Sequence, residues 1–145
     1  MNSTLKVLIA EDSVLISDLL AEVLSRIEGL EVIGIATNGV EAISMVQDLR
    51  PDIVVLDISM PVKDGIEVLK EIRPIDPSTE IIMFTADSSD IMRNFCLELG
   101  ANYYVSKTHL RDLLDILREC VSRRVDDNAS DNDSSECGCS FFPFQ

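Results

Sequence analysis

The sequence predicts an α/β fold in which a five-stranded parallel sheet is covered by helices on both faces. Five short apolar runs, rich in β-branched residues, alternate along the chain with longer segments of helical period. The runs are apolar throughout rather than at every second residue, which is typical of strands that are buried on both faces. Because such burial requires helices on both sides, we expect a single doubly wound domain.

The individual elements follow from these patterns in chain order. The strands are predicted at residues 5–10, 32–36, 53–57, 81–85 and 103–106. Apolar residues three and four positions apart predict helices at residues 14–27, 40–46, 66–72, 91–99 and 110–121. We expect the apolar stripe of every helix to face the sheet, and we expect the prolines to fall in connections: Pro51, Pro61, Pro74 and Pro77.

The composition restricts the classes of partner. The 145 residues include 26 acids and 12 bases, which gives a formal net charge of -14, and the longest basic run is Arg123-Arg124. Nucleic acids and anionic membrane surfaces are therefore predicted not to be partners. No apolar run approaches the roughly 20 residues of a membrane span, and the amino-terminal residues do not resemble a signal peptide. We expect a cytoplasmic protein whose four cysteines are free thiols.

The character of the chain changes after Val125. Residues 1–125 are predicted to form the domain, and residues 126–145 a flexible tail that contains five acids and no base. The tail ends in apolar and thiol side chains, which are Cys137, Cys139, Phe141, Phe142 and Phe144. The phenylalanines could dock in a groove of a partner, fold back on their own domain, or have no role. The two cysteines are too few for a closed zinc site.

Polar side chains cluster where the predicted strands end. Glu11 and Asp12 follow the first strand, Asp57 ends the third, Thr85 ends the fourth, and Lys107 follows the fifth. Parallel strands end at one edge of a sheet, so these groups should converge there. Three carboxylates without histidine or cysteine favour Mg²⁺. With a lysine and a hydroxyl beside the metal, one carboxylate could be the nucleophile of a phosphoryl transfer.

These residues resemble the response-regulator receiver domain of two-component signalling, of the stand-alone, chemotaxis-regulator-like type. The resemblance rests on IAEDS, on VVLDISMPVKDG around Asp57, on Thr85-Ala86 and on Lys107, and it covers roughly residues 6–120. It implies a flavodoxin-like strand order of 2-1-3-4-5.

The resemblance also implies a role for each site residue. Asp57 would be the phosphoacceptor, taking a phosphoryl group from the phosphohistidine of a kinase or of a histidine phosphotransfer protein. Asp12 and Asp57 would bind Mg²⁺ directly, Glu11 through a metal-bound water, and Ser59 through its backbone carbonyl. Lys107 would pair with the phosphoryl oxygens.

The resemblance further implies a switch that connects this site to the surface. Thr85 would move toward the phosphoryl group and Tyr104 would turn inward, changing a surface made of helix 4, strand 5 and helix 5. That surface would bind a target protein or a second copy of the chain. Ser59 and Asp87 would tune dephosphorylation. One position departs from the family pattern, since Thr108 follows Lys107 where many members have a proline.

Alternatives remain open at this level. The chain could be a phosphorylation-independent scaffold of receiver type. A small phosphatase with an aspartyl-phosphate intermediate would share the nucleophile and the metal, but it would need a cap region and an acid at the position of Ser59. A flavin-binding domain is disfavoured because Glu11 and Asp12 would repel the phosphate of the cofactor. The prediction is a phosphoacceptor module with self-catalysed chemistry rather than an enzyme.

Overall fold

The structure is a computed structural model that describes residues 4–129, with side chains up to residue 124. The predictions for Cys137, Cys139, Phe141, Phe142 and Phe144 lie outside the described residues. Five parallel strands form one sheet in the order β2-β1-β3-β4-β5, which confirms the predicted fold class and strand order.

Strands and helices alternate strictly along the described chain. The strands are β1 (Leu5–Ala10), β2 (Leu30–Ala36), β3 (Ile53–Leu56), β4 (Glu80–Thr85) and β5 (Tyr103–Ser106). The helices are α1 (Val14–Ser25), α2 (Gly39–Leu49), α3 (Gly65–Ile75), α4 (Asp90–Glu98) and α5 (Leu110–Ala129). Within residues 4–129, no helix is both long and apolar enough to cross a membrane.

Two hydrophobic cores lie on opposite faces of the sheet. Side chains of α1 and α5, such as Leu20 and Leu117, pack with alternate residues of the strands on one face. Side chains of α2, α3 and α4, such as Val46, Leu69 and Cys96, pack on the other face. Since consecutive strand residues point to opposite faces, both must be apolar, which explains the continuous apolar runs in the sequence.

Short polar side chains begin four of the helices. Ser13, Asn38, Asp64 and Ser89 each accept a hydrogen bond from a backbone N–H in the first turn of α1, α2, α3 and α4 respectively. Asp64 forms a full capping box with Glu67. These caps fix where each helix leaves the carboxyl edge of the sheet.

The helix stripes face the sheet only in part, which corrects the expectation from the sequence. In α1, Leu20 and Leu24 are buried, whereas the side chains of Leu15 and Leu19 are 80% and 50% exposed. Ile91 in α4 is 83% exposed. Consecutive helical residues are turned by about 100°, so only one member of an adjacent apolar pair can face the sheet.

The end of α5 and the place of Pro74 also differ from the sequence-based expectation. Helix α5 continues to Ala129, four residues beyond the predicted end of the domain at Val125. Its last turn contains no proline or glycine that would stop it. Pro74 lies inside the last turn of α3 rather than in a connection. The proline removes one backbone hydrogen bond, that of its own nitrogen, and the helix ends one residue later at Ile75.

The guanidinium of Arg73 holds two loops at the opposite edge of the sheet from the polar cluster. It donates hydrogen bonds to the carbonyl oxygens of Asp76, Pro77 and Thr79 at 3.1, 3.0 and 2.8 Å, in the loop before β4. It also donates two to the carbonyl oxygen of Gly100, before β5, at 3.1 and 2.8 Å. One side chain therefore satisfies carbonyl groups of two loops that share no secondary structure.

Replacing Arg73 should destabilise the fold without touching the polar cluster. We expect Arg73→Ala to lower the free energy of unfolding by about 3 kcal/mol, since several carbonyls lose a charged donor. Urea unfolding followed by circular dichroism measures this loss. Arg93→Ala, at an exposed position of α4, is the matched control and should change stability by less than about 0.5 kcal/mol. Equal losses in the two variants would contradict the role of Arg73.

Candidate functional site

The polar residues predicted from the strand ends do share the carboxyl edge of the sheet. Glu11 directly follows β1, Asp57 directly follows β3, and Lys107 directly follows β5. Thr85 is the last residue of β4 and is buried. The parallel registers bring these positions together from segments that are far apart in sequence.

Three carboxylates meet at this edge. Glu11, Asp12 and Asp57 each offer an oxygen atom, and the three oxygens lie within 4.8 Å of one another. Glu11 and Asp57 are only 2% and 3% exposed, whereas Asp12 is exposed to solvent. The backbone N–H of Ser13 donates to Glu11 at 3.0 Å, and that of Ser59 donates to Asp57 Oδ1 at 3.3 Å. The cluster is thus buried on one side and open on the other.

One ammonium group lies against the two buried carboxylates. Lys107 Nζ is 2.8 Å from Glu11 Oε1 and 2.9 Å from Asp57 Oδ2. Burial raises the pKa of Glu11 above its usual value, although the hydrogen bond from Lys107 opposes this shift. Burial opposes the charge of Lys107 as well, but its bonds to Glu11 and Asp57 outweigh that effect and raise its pKa. Lysine therefore stays protonated in the site.

The donor set fits a hard divalent cation. Three carboxyl groups face one ammonium, so acidic groups outnumber basic groups in the cluster. All three side chains offer oxygen, which suits Mg²⁺, and exposed Asp12 leaves room for the waters that Mg²⁺ retains. Asp12 and Asp57 could hold such an ion directly, and the Ser59 carbonyl lies two residues after Asp57 on the same loop.

A glycine fixes the backbone that carries Asp57. A Cβ on Gly65 would collide with the carbonyl oxygen of Asp57, and the Gly65 N–H donates to the carbonyl of Ile58 at 2.8 Å. The first turn of α3 therefore packs directly on the loop after β3. The sequence signal for this contact is the Asp64-Gly65 pair, which combines a helix cap with a residue lacking a side chain.

Two contacts link the site to the neighbouring strand and helix. The backbone N–H of Lys107 donates to the carbonyl of Thr85 at 2.8 Å. The hydroxyl of Tyr104 donates to the carbonyl of Asp87, in the loop between β4 and α4, at 2.6 Å. Burial and the charge of Asp87 raise the pKa of Tyr104 to about 12, so the hydroxyl keeps its proton. The side chain of Asp87 is exposed and caps the turn by accepting from the Ser89 N–H.

The turn after Lys107 is held by hydroxyl groups, a feature that the sequence analysis missed. The Lys107–Thr108 peptide is trans, as are the other peptide bonds of the described residues. The Ser106 hydroxyl accepts from the Thr108 N–H at 3.2 Å and lies 2.9 Å from the Thr108 hydroxyl. A Ser-x-Thr spacing is the signal that could have indicated this turn. These contacts hold the turn that leads from β5 toward α5.

Comparison with known proteins identifies the family of this chain. The sequence model of the response regulator receiver domain family matches residues 7–118 of this chain. Chemotaxis protein CheY of Thermotoga maritima is 38% identical over 102 residues, which cover 70% of this chain and 84% of that protein. The CheX-CheY-BeF3-Mg²⁺ complex from Borrelia burgdorferi matches with a TM-score of 0.72 and 30% identity, over 79% of this chain and 90% of that one.

Some relatives are much longer than this chain. The protein-glutamate methylesterase/protein-glutamine glutaminase of Clostridium acetobutylicum is 33% identical over 123 residues, which is 83% of this chain but 36% of that protein. The chain therefore spans about a third of the length of that relative. The family match covers most of the described residues and includes every residue of the carboxylate cluster and Lys107. The chain belongs to the response regulator receiver domain family of two-component signalling.

Proposed function

We propose that this receiver domain accepts a phosphoryl group on Asp57 in a Mg²⁺-dependent reaction. The observation that carries the proposal is the contact of Lys107 Nζ with both Asp57 and Glu11, beside the exposed carboxylate of Asp12. The donor is the phosphohistidine of a kinase or of a histidine phosphotransfer protein. The acceptor is a residue of the chain itself, and with the receiver family this supports a signalling module.

The chemistry needs little from the protein beyond position and charge. A carboxylate oxygen of Asp57 forms a bond to phosphorus while the bond from phosphorus to the imidazole nitrogen of the donor breaks. Mg²⁺, held by Asp12 and Asp57 with Glu11 acting through water and Ser59 through its carbonyl, would neutralise charge on the transferring oxygens. Lys107 already lies at Asp57 Oδ2 and can pair with the oxygens of the new phosphoryl group.

The response of the surface would start at Thr85 and Tyr104. Thr85 is buried at the end of β4 and its carbonyl is bonded to the backbone of Lys107. In the proposed switch its hydroxyl moves toward the phosphoryl group, and Tyr104 changes position with it. The affected surface is that of α4, β5 and α5, where a target protein or a second copy would bind. Ser59 and Asp87, both exposed, would tune access of water to the phosphoryl group.

The acceptor can be tested without the natural partner. On incubation with Mg²⁺ and a small acyl phosphate, we expect the intact mass of the wild type to increase by one phosphoryl group and that of Asp57→Asn to stay unchanged. Asp48→Asn, an exposed acid on α2, should be modified like the wild type. No addition to the wild type, under conditions where calorimetry shows Mg²⁺ binding, would instead support the phosphorylation-independent scaffold.

Magnesium should stabilise the folded protein through the carboxylate cluster. At a free Mg²⁺ concentration ten times its dissociation constant, we expect the free energy of unfolding to rise by about 1.4 kcal/mol. Asp12→Asn should lose most of this gain because it removes a ligand charge, while Asp18→Asn, on the exposed side of α1, should keep it. Thermal unfolding with and without Mg²⁺ measures the difference. An equal gain in both variants would place the metal elsewhere.

Removing the ammonium group of Lys107 should make the stability of the folded protein depend more strongly on Mg²⁺. Lys107→Met leaves two buried carboxylates without their cation, so we expect a loss of about 3 kcal/mol in chelator. Saturating Mg²⁺ should restore more stability to this variant than it adds to the wild type. Lys70→Met, at an exposed position of α3, is the control and should behave like the wild type. A Mg²⁺ effect of the same size in all three proteins would contradict charge balance by Lys107.

A further inference from the structure

A shallow groove on α5 combines an apolar floor with positive charge. It has a volume of about 430 Å³ and is lined by Leu110, Arg111, Leu114, Asp115 and Arg118. These positions lie on successive turns of one side of the helix, next to the buried side that packs on the sheet. Leu110 and Leu114 are only partly buried. The groove could therefore bind an apolar side chain of a segment that also contains acidic residues.

The arginines of the groove are poorly neutralised by the rest of the domain. Arg118 is largely exposed and lies 3.8 Å from Asp115, and Arg111 makes no ion pair within residues 4–124. Further along α5, Arg123 and Arg124 are paired with Glu80 and Asp52 at 3.7 and 3.9 Å. In a chain with a net charge of -14, the groove is a place where an acidic segment would meet attraction rather than repulsion.

The chain itself supplies such a segment directly after α5. Residues 130–145 contain three acids, no base, and the sequence FFPF. The acids are Asp131, Asp133 and Glu136, and the aromatic residues are Phe141, Phe142 and Phe144. In this segment the acidic residues therefore come first and the aromatic residues last. Followed backward from Ala129, α5 presents the paired Arg124 and Arg123 first, then Arg118, and the leucine floor last.

We propose that the carboxyl-terminal segment folds back along α5 and places its phenylalanines on Leu110 and Leu114. Glu136, the last of the acids, then lies nearest Arg118, and the guanidinium groups of Arg111 and Arg118 can stack on the aromatic rings. The occupant is a segment of the same molecule, and the contact is formed by the unphosphorylated protein.

The length of the segment suits this path. Leu114 lies 15 residues before Ala129, which is about 22 Å along the helix axis. The 12 residues from 130 to 141 span at most about 40 Å when extended and about 20 Å on average as an unstructured chain. Because the average reach matches the distance, the local concentration of the phenylalanines at the groove is high, and a weak contact suffices to hold them there.

This contact would limit access to part of the output surface. The consequence rests on the proposed function, which assigns α5 to the surface that binds a target. A target whose own segment fits the same groove must displace the phenylalanines, so its apparent affinity falls by the fraction of molecules in which the groove is filled.

The natural cysteines provide a direct test in the full-length protein. In Cys137→Ser, a thiol-reactive spin label should attach to Cys139, since Cys96 and Cys120 are buried and burial raises the pKa of both thiols. We expect selective loss of amide signal intensity across residues 110–118 in nitrogen-15 spectra. Replacing Phe141, Phe142 and Phe144 by serine in the labelled protein should restore those intensities. Arg111→Glu with Arg118→Glu should restore them too, whereas Arg93→Glu on α4 should not.

The outcomes separate this proposal from its rivals. Intensity losses spread evenly over the domain, or centred on exposed Leu15 and Leu19 of α1, would overturn it. Losses that appear when spin-labelled protein is mixed with isotope-enriched unlabelled protein would show docking on a second copy and would also overturn it. The experiment uses no phosphoryl donor and no Mg²⁺, so its result is independent of whether Asp57 accepts a phosphoryl group.

Discussion

The structure is organised around an electrostatic constraint, the placement of three carboxylates against one ammonium at the edge of a sheet. Two of these carboxylates, Glu11 and Asp57, are buried, and a buried charge is costly unless a partner faces it. Lys107 supplies that partner at 2.8 and 2.9 Å. The cluster is exposed to solvent at Asp12, so in the proposed reaction a cation or a phosphoryl group would approach from that side.

Holding these charges in place requires rigid backbone, and the fold provides it from several elements. The strands that carry Glu11 and Asp57 are neighbours in the sheet, with both faces covered by helices. The loop after Asp57 packs on Gly65 so closely that no side chain fits between them. The backbone of Lys107 is bonded to Thr85 on the adjacent strand. A shift of any one of these segments would move a charge relative to the others.

The sequence predicted the features that follow from regular local patterns of apolar and polar residues. Apolar runs predicted the strands, and the rule that parallel strands end at one edge placed Glu11, Asp57 and Lys107 together. What it could not predict depends on tertiary contacts. Leu19 and Leu20 are equally apolar, and only packing decides that Leu20 is buried. Likewise, nothing in the local sequence of Arg73 indicates that it bonds to Gly100, 27 residues away.

The same contacts restrict how a change at Asp57 could reach the surface. The buried end of β4 is joined to the residue after β5 through the Thr85–Lys107 backbone bond, and β5 is joined to the loop before α4 by the Tyr104–Asp87 bond. Both bonds cross between elements that share no continuous backbone. In the proposed switch, a phosphoryl group would form new contacts with Lys107 and Thr85. The free energy of those contacts sets the upper limit on the energy available to rearrange Tyr104. Breaking the Tyr104–Asp87 hydrogen bond, worth about 1 kcal/mol, is within reach of that contribution, whereas disrupting the packed cores is not.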